Sequence, residues 1–395
     1  MHTLNREPQL DILRGFAIFG IFFVNITIMH CLFINQDAFL AQFQDPISGF
    51  INRLLQLFFY NKFFPIFSFL FGFGIASQLI KKQQLGTPFS GFLLRRMTAL
   101  FVFGWLHIVF LWPGDVLHLY AVLGLMSLVL LKLKNKQLVI LAVLLLIFPF
   151  YDAISAYLLG KLSTPLDAYL VSYGSQGIIS VMQSGTLVEV IQLRVAEYLA
   201  NLPMLLFYLA PMALSLFMLG IVAGRATLKF ASIEWVNTFK NPVLFLFVIT
   251  SFYRIAFLFW LPDSALYRHD LLRPLWFKLM FLSDITLGLC YLWGIAWLWH
   301  NQVVTKALML FSYVGRLALT NYLLQSLMGV ILFTNVGLSL YQTLSPLMCF
   351  IIAFACFCVQ AVLSRIWLTH FKYGPLEWVW RCITYKQKMP IKRSL

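Results

Sequence analysis

Apolar runs long enough to cross a bilayer follow one another along the whole chain, each closed by a short polar stretch. They lie near 10–33, 60–80, 92–112, 115–131, 138–158, 199–223, 243–261, 275–299, 311–334 and 344–369, and a helix needs about 20 such residues to span the hydrocarbon core. The pattern predicts an all-α polytopic protein with about ten transmembrane helices in a single domain over 1–395, the span at 115–131 being the shortest. Segments 47–59 and 301–310 hold Arg53, Gln56 and Lys306 within apolar runs too short to cross, which predicts amphipathic lead-ins at the surface. The longest connection, 160–198, carries Gly, Ser and Gln and reads as a partly ordered loop or a short helix on the outer face. No internal repeat is evident. The first run is too long for a signal-peptide core and has no small-residue cleavage site, so it reads as retained.

Composition agrees with this pattern. Of 395 residues, 61% are hydrophobic and only 11% charged, against roughly one quarter charged in a soluble domain, which excludes a soluble globule. A net charge of +15 would suggest nucleic acid in a soluble protein; here its distribution points elsewhere. With the N-terminus cytoplasmic, that face holds Arg6, Lys81, Lys82, Arg95, Arg96, Lys132, Lys134, Lys136, Arg225, Lys229, Lys240, Lys306, Arg365, Lys372, Arg381, Lys386, Lys388, Lys392 and Arg393 against Glu7, Glu234 and Glu377. The other face holds Arg53, Lys161, Arg194, Arg268 and Arg273 against Asp37, Asp45, Asp115, Asp167, Glu189, Glu197, Asp263 and Asp270. Nineteen cations on one side and five on the other place both termini, and the tail 370–395, on the cytoplasmic side of a membrane that the chain crosses many times. The six cysteines have neither disulfide-framework nor zinc-ligand spacing, so no metal is expected.

Ionisable groups inside spans are costly and call for a partner, a cavity or a function. In the first span, Asp11 and Arg14 stand three apart on one helix face, as a pair would. Asn25 follows about three turns later, some 16 Å toward the outside, close to the same face. His107 lies about 18 Å beyond Arg95 along the third span, at nearly the depth of Asn25. A tight turn, Trp112-Pro113-Gly114-Asp115, then leads to His118 and Tyr120. Asp115 could fix the His107 tautomer, as base and orienter, whereas His118 reads as an interfacial residue. Lys62 opens the second span and can either snorkel or face a site. Gly72 and Gly74, like Gly220 and Gly224, read as permitting close helix packing. Near the ninth span Arg316, Thr320 and the Asn321/Gln325 pair recur at four-residue spacing, a polar stripe toward neighbouring helices. Glu377 sits in the tail's Gly374-Pro375-Leu376-Glu377-Trp378. Arg14, Arg95, Arg96, Arg316 and Arg381 all fall at the cytoplasmic level, where guanidiniums would suit either lipid headgroups or the phosphates of a cofactor.

These segments also carry a resemblance. LDILRGFAIFGIFFVNI, KFFPIFSFLFGFGIA, GWLHIVFLWPGDVLHLYAVLGL, GRLALTNYLLQSL and YGPLEWVWRCITY, in order from residue 9 to 385, resemble the YeiB-like bacterial membrane family (domain of unknown function 418), which implies a multi-pass protein of the bacterial inner membrane. The opening block is also similar to that of membrane acyltransferases that include the lysosomal heparan-alpha-glucosaminide N-acetyltransferase. The resemblance implies transfer of an acetyl group from cytosolic acetyl-CoA to an acceptor across the membrane, with an active-site Asn that Asn25 matches by motif position. His30 lies closer to that Asn than the pattern asks, so His107 is the candidate histidine on geometric grounds.

The expectation is a transmembrane acyltransferase. An acyl-CoA donor would place its phosphates among Arg14, Arg316, Arg95, Arg96 and Arg381, His107 would be the base, Asp115 its orienter and Asn25 the oxyanion donor. Asp11, Lys62, Tyr120, Asn321, Gln325 and Glu377 would supply substrate-facing or structural polarity. The acceptor would be a small molecule or glycan, such as a sugar or cell-envelope component, and the other partners the bilayer and a second copy in a homodimer, with no nucleic acid. The competing readings are a transporter or channel for a small anionic or lipidic solute, and a scaffold whose polar groups only join helices.

Overall fold

The computed structural model describes residues 8–226, 232–269 and 272–393; Arg6, Glu7, Lys229 and Asp270 of the charge comparison lie outside them. Because the runs are apolar and the bilayer offers the backbone no hydrogen-bond partners, the chain satisfies its amides within helices. These are α1 (Pro8–His30), α2 (Gln36–Gln42), α3 (Pro46–Phe58), α4 (Phe63–Gln84), α5 (Ser90–Phe110), α6 (Leu117–Leu130), α7 (Asn135–Ile147), α8 (Tyr151–Leu159) and α9 (Ala168–Ser184). There follow α10 (Leu187–Met204), continuous through a π-helical turn with α11 (Ala210–Arg225), then α12 (Ile233–Phe259), α13 (Ala265–Arg268), α14 (Arg273–Trp299), α15 (Gln302–Arg316), α16 (Ala318–Phe333), α17 (Pro346–His370) and α18 (Pro375–Tyr385).

Among the described residues, seven helical stretches are long and apolar enough to cross a membrane, or nine if each of two bent pairs is one span. The pairs are α7 with α8, bent by 72°, and α15 with α16, bent by 82°. Helix α6, where the shortest span is expected, has 14 residues, about 21 Å of helix. Two expectations change. The connection 160–198 is helical for most of its length, as α9 and the first half of α10. Arg316 ends α15 before the bend, so it does not share a helix with Thr320, Asn321 and Gln325. The tail is also no loose appendage: α18 packs on α5 and α16. All six cysteines are free.

Glycines set the closest crossings. A Cβ on Gly15 would stand 1.9 Å from the Phe311 carbonyl oxygen, and one on Gly315 would be 1.8 Å from that of Asp11, so α1 and α15 meet backbone to backbone. Helices α4 and α11 meet likewise at Gly72, Gly220 and Gly224. Small residues serve this purpose where lipid is as apolar as the side chains and contact alone drives association. Gly74 differs, since a Cβ there would meet only the Arg14 guanidinium, 3.8 Å away. Helix α12 is the least buried of the long helices and turns Phe245, Val248 and Phe252 outward.

Candidate functional site

Helix α1 runs past two cavities. A larger one, about 680 Å³, takes Ile21, Val24, Asn25, Ile28 and His30 from its second half; a smaller one, about 230 Å³, takes Arg14 and Ile18 from its first and shares Ile21. Ile21, Val116 and Tyr322 line both, so these three side chains form the partition. The two differ in chemistry. Asp115, Glu197 and Asp284 line the larger, here called the carboxylate cavity, and Arg14, Arg96, Arg316 and Arg381 line the smaller, the arginine cavity.

Asp115 organises the partition end of the carboxylate cavity. The short turn between α5 and α6 brings it under both helices, where its Oδ2 lies 2.8 Å from His107 Nδ1 and its Oδ1 2.8 Å from His118 Nδ1. The His118 backbone N–H also donates to Oδ1, at 3.0 Å. Each imidazole continues outward: His107 Nε2 is 2.7 Å from Ser326 Oγ, and His118 Nε2 is 3.1 Å from the Tyr198 hydroxyl. The result is a polar chain Tyr198–His118–Asp115–His107–Ser326 in which each side chain fixes the next. Its cavity-facing members are Asp115 and Tyr198, while His107 and Ser326 sit behind them, 1% exposed. The Tyr322 ring packs 5.1 Å from the His107 ring, tying this chain to the partition. A Cβ on Gly104 would stand 2.5 Å from the His118 backbone nitrogen and 2.7 Å from Asp115 Oδ1, so only glycine lets the α5 backbone approach this carboxylate.

A second buried cluster reaches the same cavity through Arg254 and Asp284. Lys62 donates all three of its N–H groups, to Asp284 Oδ1 (2.7 Å) and to the carbonyls of Tyr60 (3.0 Å) and Gln56 (3.2 Å). Arg254 Nε lies 2.9 Å from the same Asp284 oxygen and Nη2 donates to the Gln56 carbonyl at 2.9 Å. Two cations thus share one carboxylate in the interior. Asn61 precedes Lys62 with a left-handed φ of 62°, a conformation Asn tolerates better than most residues, and turns the chain from α3 into α4.

The arginine cavity is closed by α18. Glu377 accepts from the Leu319 and Thr320 N–H groups at 2.7 and 3.0 Å and from Thr320 Oγ1 at 2.6 Å, capping the first turn of α16 just after the bend. Burial pushes the Glu377 carboxyl above its usual range, and the hydrogen bonds from Thr320 pull against that shift. Trp380 donates to the Arg96 carbonyl at 2.7 Å, and the Arg96 guanidinium stacks 3.6 Å over its ring. Arg14 pairs with Asp11 at 3.1 Å.

Four of the five arginines singled out in the sequence therefore share one cavity, and Arg95 does not: its Nε donates to the Thr384 carbonyl. Asn25 lines the carboxylate cavity with Asp115; His107 lines neither cavity. Tyr120 lines the arginine cavity, its hydroxyl 2.7 Å from Ser68 Oγ. Asn321 and Gln325 join α16 to α17 through Ser364 and Gln360, a structural use. Sequence reasoning passed over Tyr198, Ser326, Arg254 and Asp284 and read His118 as interfacial, whereas it is buried on Asp115; of these only His118 had a local signal, its three-residue spacing from Asp115.

A relative in Bacillus subtilis (strain 168), the uncharacterized protein YxaH, is 30% identical over 99% of this chain and 97% of its own length. The family described as "Protein of unknown function (DUF418)" matches residues 229–387. The chain belongs to the DUF418, YeiB-like family. Other members similar to it are a 39.9 kDa protein in the amylase 3′ region of Bacillus acidopullulyticus, 29% identical over 98% of this chain and 96% of the other, and YeiB of Escherichia coli (strain K12), 26% identical over 98% of each. No solved structure matches. The DUF418 match begins past Asp115 and its two histidines but takes in Arg254, Asp284, Arg316 and Glu377, so the candidate site draws on both halves of this family member.

Proposed function

We propose that this DUF418 protein is a transmembrane acyltransferase that moves an acyl group, acetyl being the simplest, from an acyl-CoA donor in the arginine cavity to an acceptor in the carboxylate cavity. The observation that carries the reading is the meeting of two chemically different cavities at one thin partition, Ile21, Val116 and Tyr322, with a buried carboxylate–histidine chain beside it. The donor set fits a phosphorylated molecule: four guanidiniums line the smaller cavity, and its one carboxylate, Glu377, is already engaged in capping α16. An acyl-CoA supplies an activated thioester. The protein's own groups do the rest. Asp115, held between two imidazoles, provides the route by which an acceptor hydroxyl or amine loses its proton, and Asn25 offers an amide N–H to the developing oxyanion. On topology, we read ten crossings with both termini cytoplasmic, which the 19 to 5 distribution of cations supports.

Purified protein in nanodiscs, mixed with radiolabelled acetyl-CoA, is expected to bind it and to turn it over slowly, with Arg316→Gln and Arg14→Gln weakening binding and His107→Ala sparing binding but removing turnover. Neither binding nor turnover of any acyl-CoA would sink the proposal. The break between α15 and α16 favours a second reading, since interrupted helices also mark transporter sites; solute flux in proteoliposomes that survives His107→Ala would select it.

A further inference from the structure

We propose that the Arg254–Asp284 corner of the carboxylate cavity is an acidic-group subsite, so that the acceptor carries an anionic group at one end and the reacting hydroxyl or amine at the other. The identification of the ligand as an acceptor rests on the acyltransferase reading; the subsite itself does not. Lys62 and Arg254 bring two positive charges to a corner with one carboxylate, Asp284, all three residues being at least nine-tenths buried. An unbalanced cation in a low-dielectric interior is costly, and an anion arriving there would relieve it. Lys62 has no donor left to offer, but Arg254 lines the cavity with one N–H in a hydrogen bond and its Nε in ion-pair contact with Asp284, which leaves three of its five N–H groups for a ligand. Asp284 Oδ2 is buried without a well-formed hydrogen bond and has the Asn61 side chain beside it, so a ligand hydroxyl could donate to it.

The cavity wall around Asp115 has a different character. Asp115, between its two imidazoles, and Glu197, beside the buried Arg194, line it together with Tyr198 and Asn201, and offer acceptors to a hydroxyl or amine where the Arg254 corner offers donors to an anion. The rest of the lining is largely apolar, with Phe59, Phe257, Leu258 and Met280 on or beside the cation corner's helices. A ligand therefore enters in one orientation, acidic group toward Arg254 and nucleophile toward the partition. A glycerol phosphate unit has this polarity, whether free or as a lipid headgroup.

Titration calorimetry on the full chain in nanodiscs of zwitterionic lipid, with glycerol 1-phosphate and with short-chain phosphatidylglycerol as probes, separates the two sources. Saturable binding of either, weakened about tenfold or more by Arg254→Gln, supports the subsite; tighter binding of the lipid assigns the headgroup, and equal binding assigns the free ester. If Arg254→Gln does not fold, Arg254→Lys decides, because it keeps the charge and loses the planar fork: affinity about threefold or more weaker is expected, and unchanged affinity would overturn the proposal. Absence of binding by both probes, or binding indifferent to Arg254, would also overturn it, whereas intact acyl-CoA turnover in that case would leave the acyltransferase reading standing.

Discussion

Asp115 is a single carboxylate holding two imidazoles and a backbone amide, so its loss should reach further than the loss of either histidine. Asp115→Asn keeps the shape but replaces an ion with an amide that cannot accept from both Nδ1–H groups at full strength. Transfer to acceptor is expected to fall by about 10² to 10⁴-fold, with acyl-CoA affinity unchanged; a turnover assay at saturating donor measures it, and a fall below tenfold would remove Asp115 from the chemistry. The Lys62–Asp284–Arg254 cluster makes a sharper stability prediction, because its charges are uneven. Asp284→Asn leaves two cations unpaired and should cost several kcal/mol, while Lys62→Met leaves a matched Arg254–Asp284 pair and should cost less; reversal of that order in thermal unfolding would refute the account. Such clusters were invisible in the sequence for a plain reason. Asp284 meets Lys62 across 222 residues, so no local spacing links them. The Asp115–His107 pairing was legible because one short turn joins its two helices; Ser326, 219 residues from His107, was not.

Helix positions were readable from run length alone, since crossing a bilayer sets a minimum that few soluble helices meet, but helix breaks were not equally so. The break after α7 had a signal in Pro149, which disfavours helix at the residue before it. The bend after Arg316 lies within one predicted span and has no proline to mark it, and it is stabilised from outside by Glu377 on α18 capping the new helix. Region 160–198 looked loop-like because α9 is rich in Gly, Ser and Gln, whereas α10 starts on a capping box of Thr186 and Glu189. Glycines give this scale its test. A Cβ on Gly220 would stand 2.1 Å from the Phe69 carbonyl oxygen, backbone that cannot swing aside, so Gly220→Ala should lower stability by about 1–3 kcal/mol. Gly74 on α4 opens into the arginine cavity instead. Gly74→Leu should leave the melting temperature near the parent's while weakening acetyl-CoA binding by about tenfold or more, and equal damage to folding by both variants would show that Gly74 too is a packing glycine.

Across the whole molecule, the cations between the spans and the arginines that line a cavity overlap only in part: Arg96 and Arg381 belong to both, Arg14 and Arg316 to the cavity alone. What keeps the two chambers apart is the partition. Tyr322 is its largest member, 7% exposed, with its hydroxyl beside the Val116 backbone and its ring against His107. Removing that side chain as Tyr322→Ala joins a chamber of about 680 Å³ to one of about 230 Å³. Water then reaches the activated acyl group from the carboxylate side, so acyl-CoA hydrolysis should rise relative to transfer, and proteoliposomes loaded with a pH dye should leak protons that the parent retains. Tyr322→Phe keeps the ring and should stay tight, which separates the role of bulk from that of the hydroxyl. A Tyr322→Ala protein that folds, remains proton-tight and keeps the parent's ratio of hydrolysis to transfer would mean that Ile21 and Val116 suffice as the barrier.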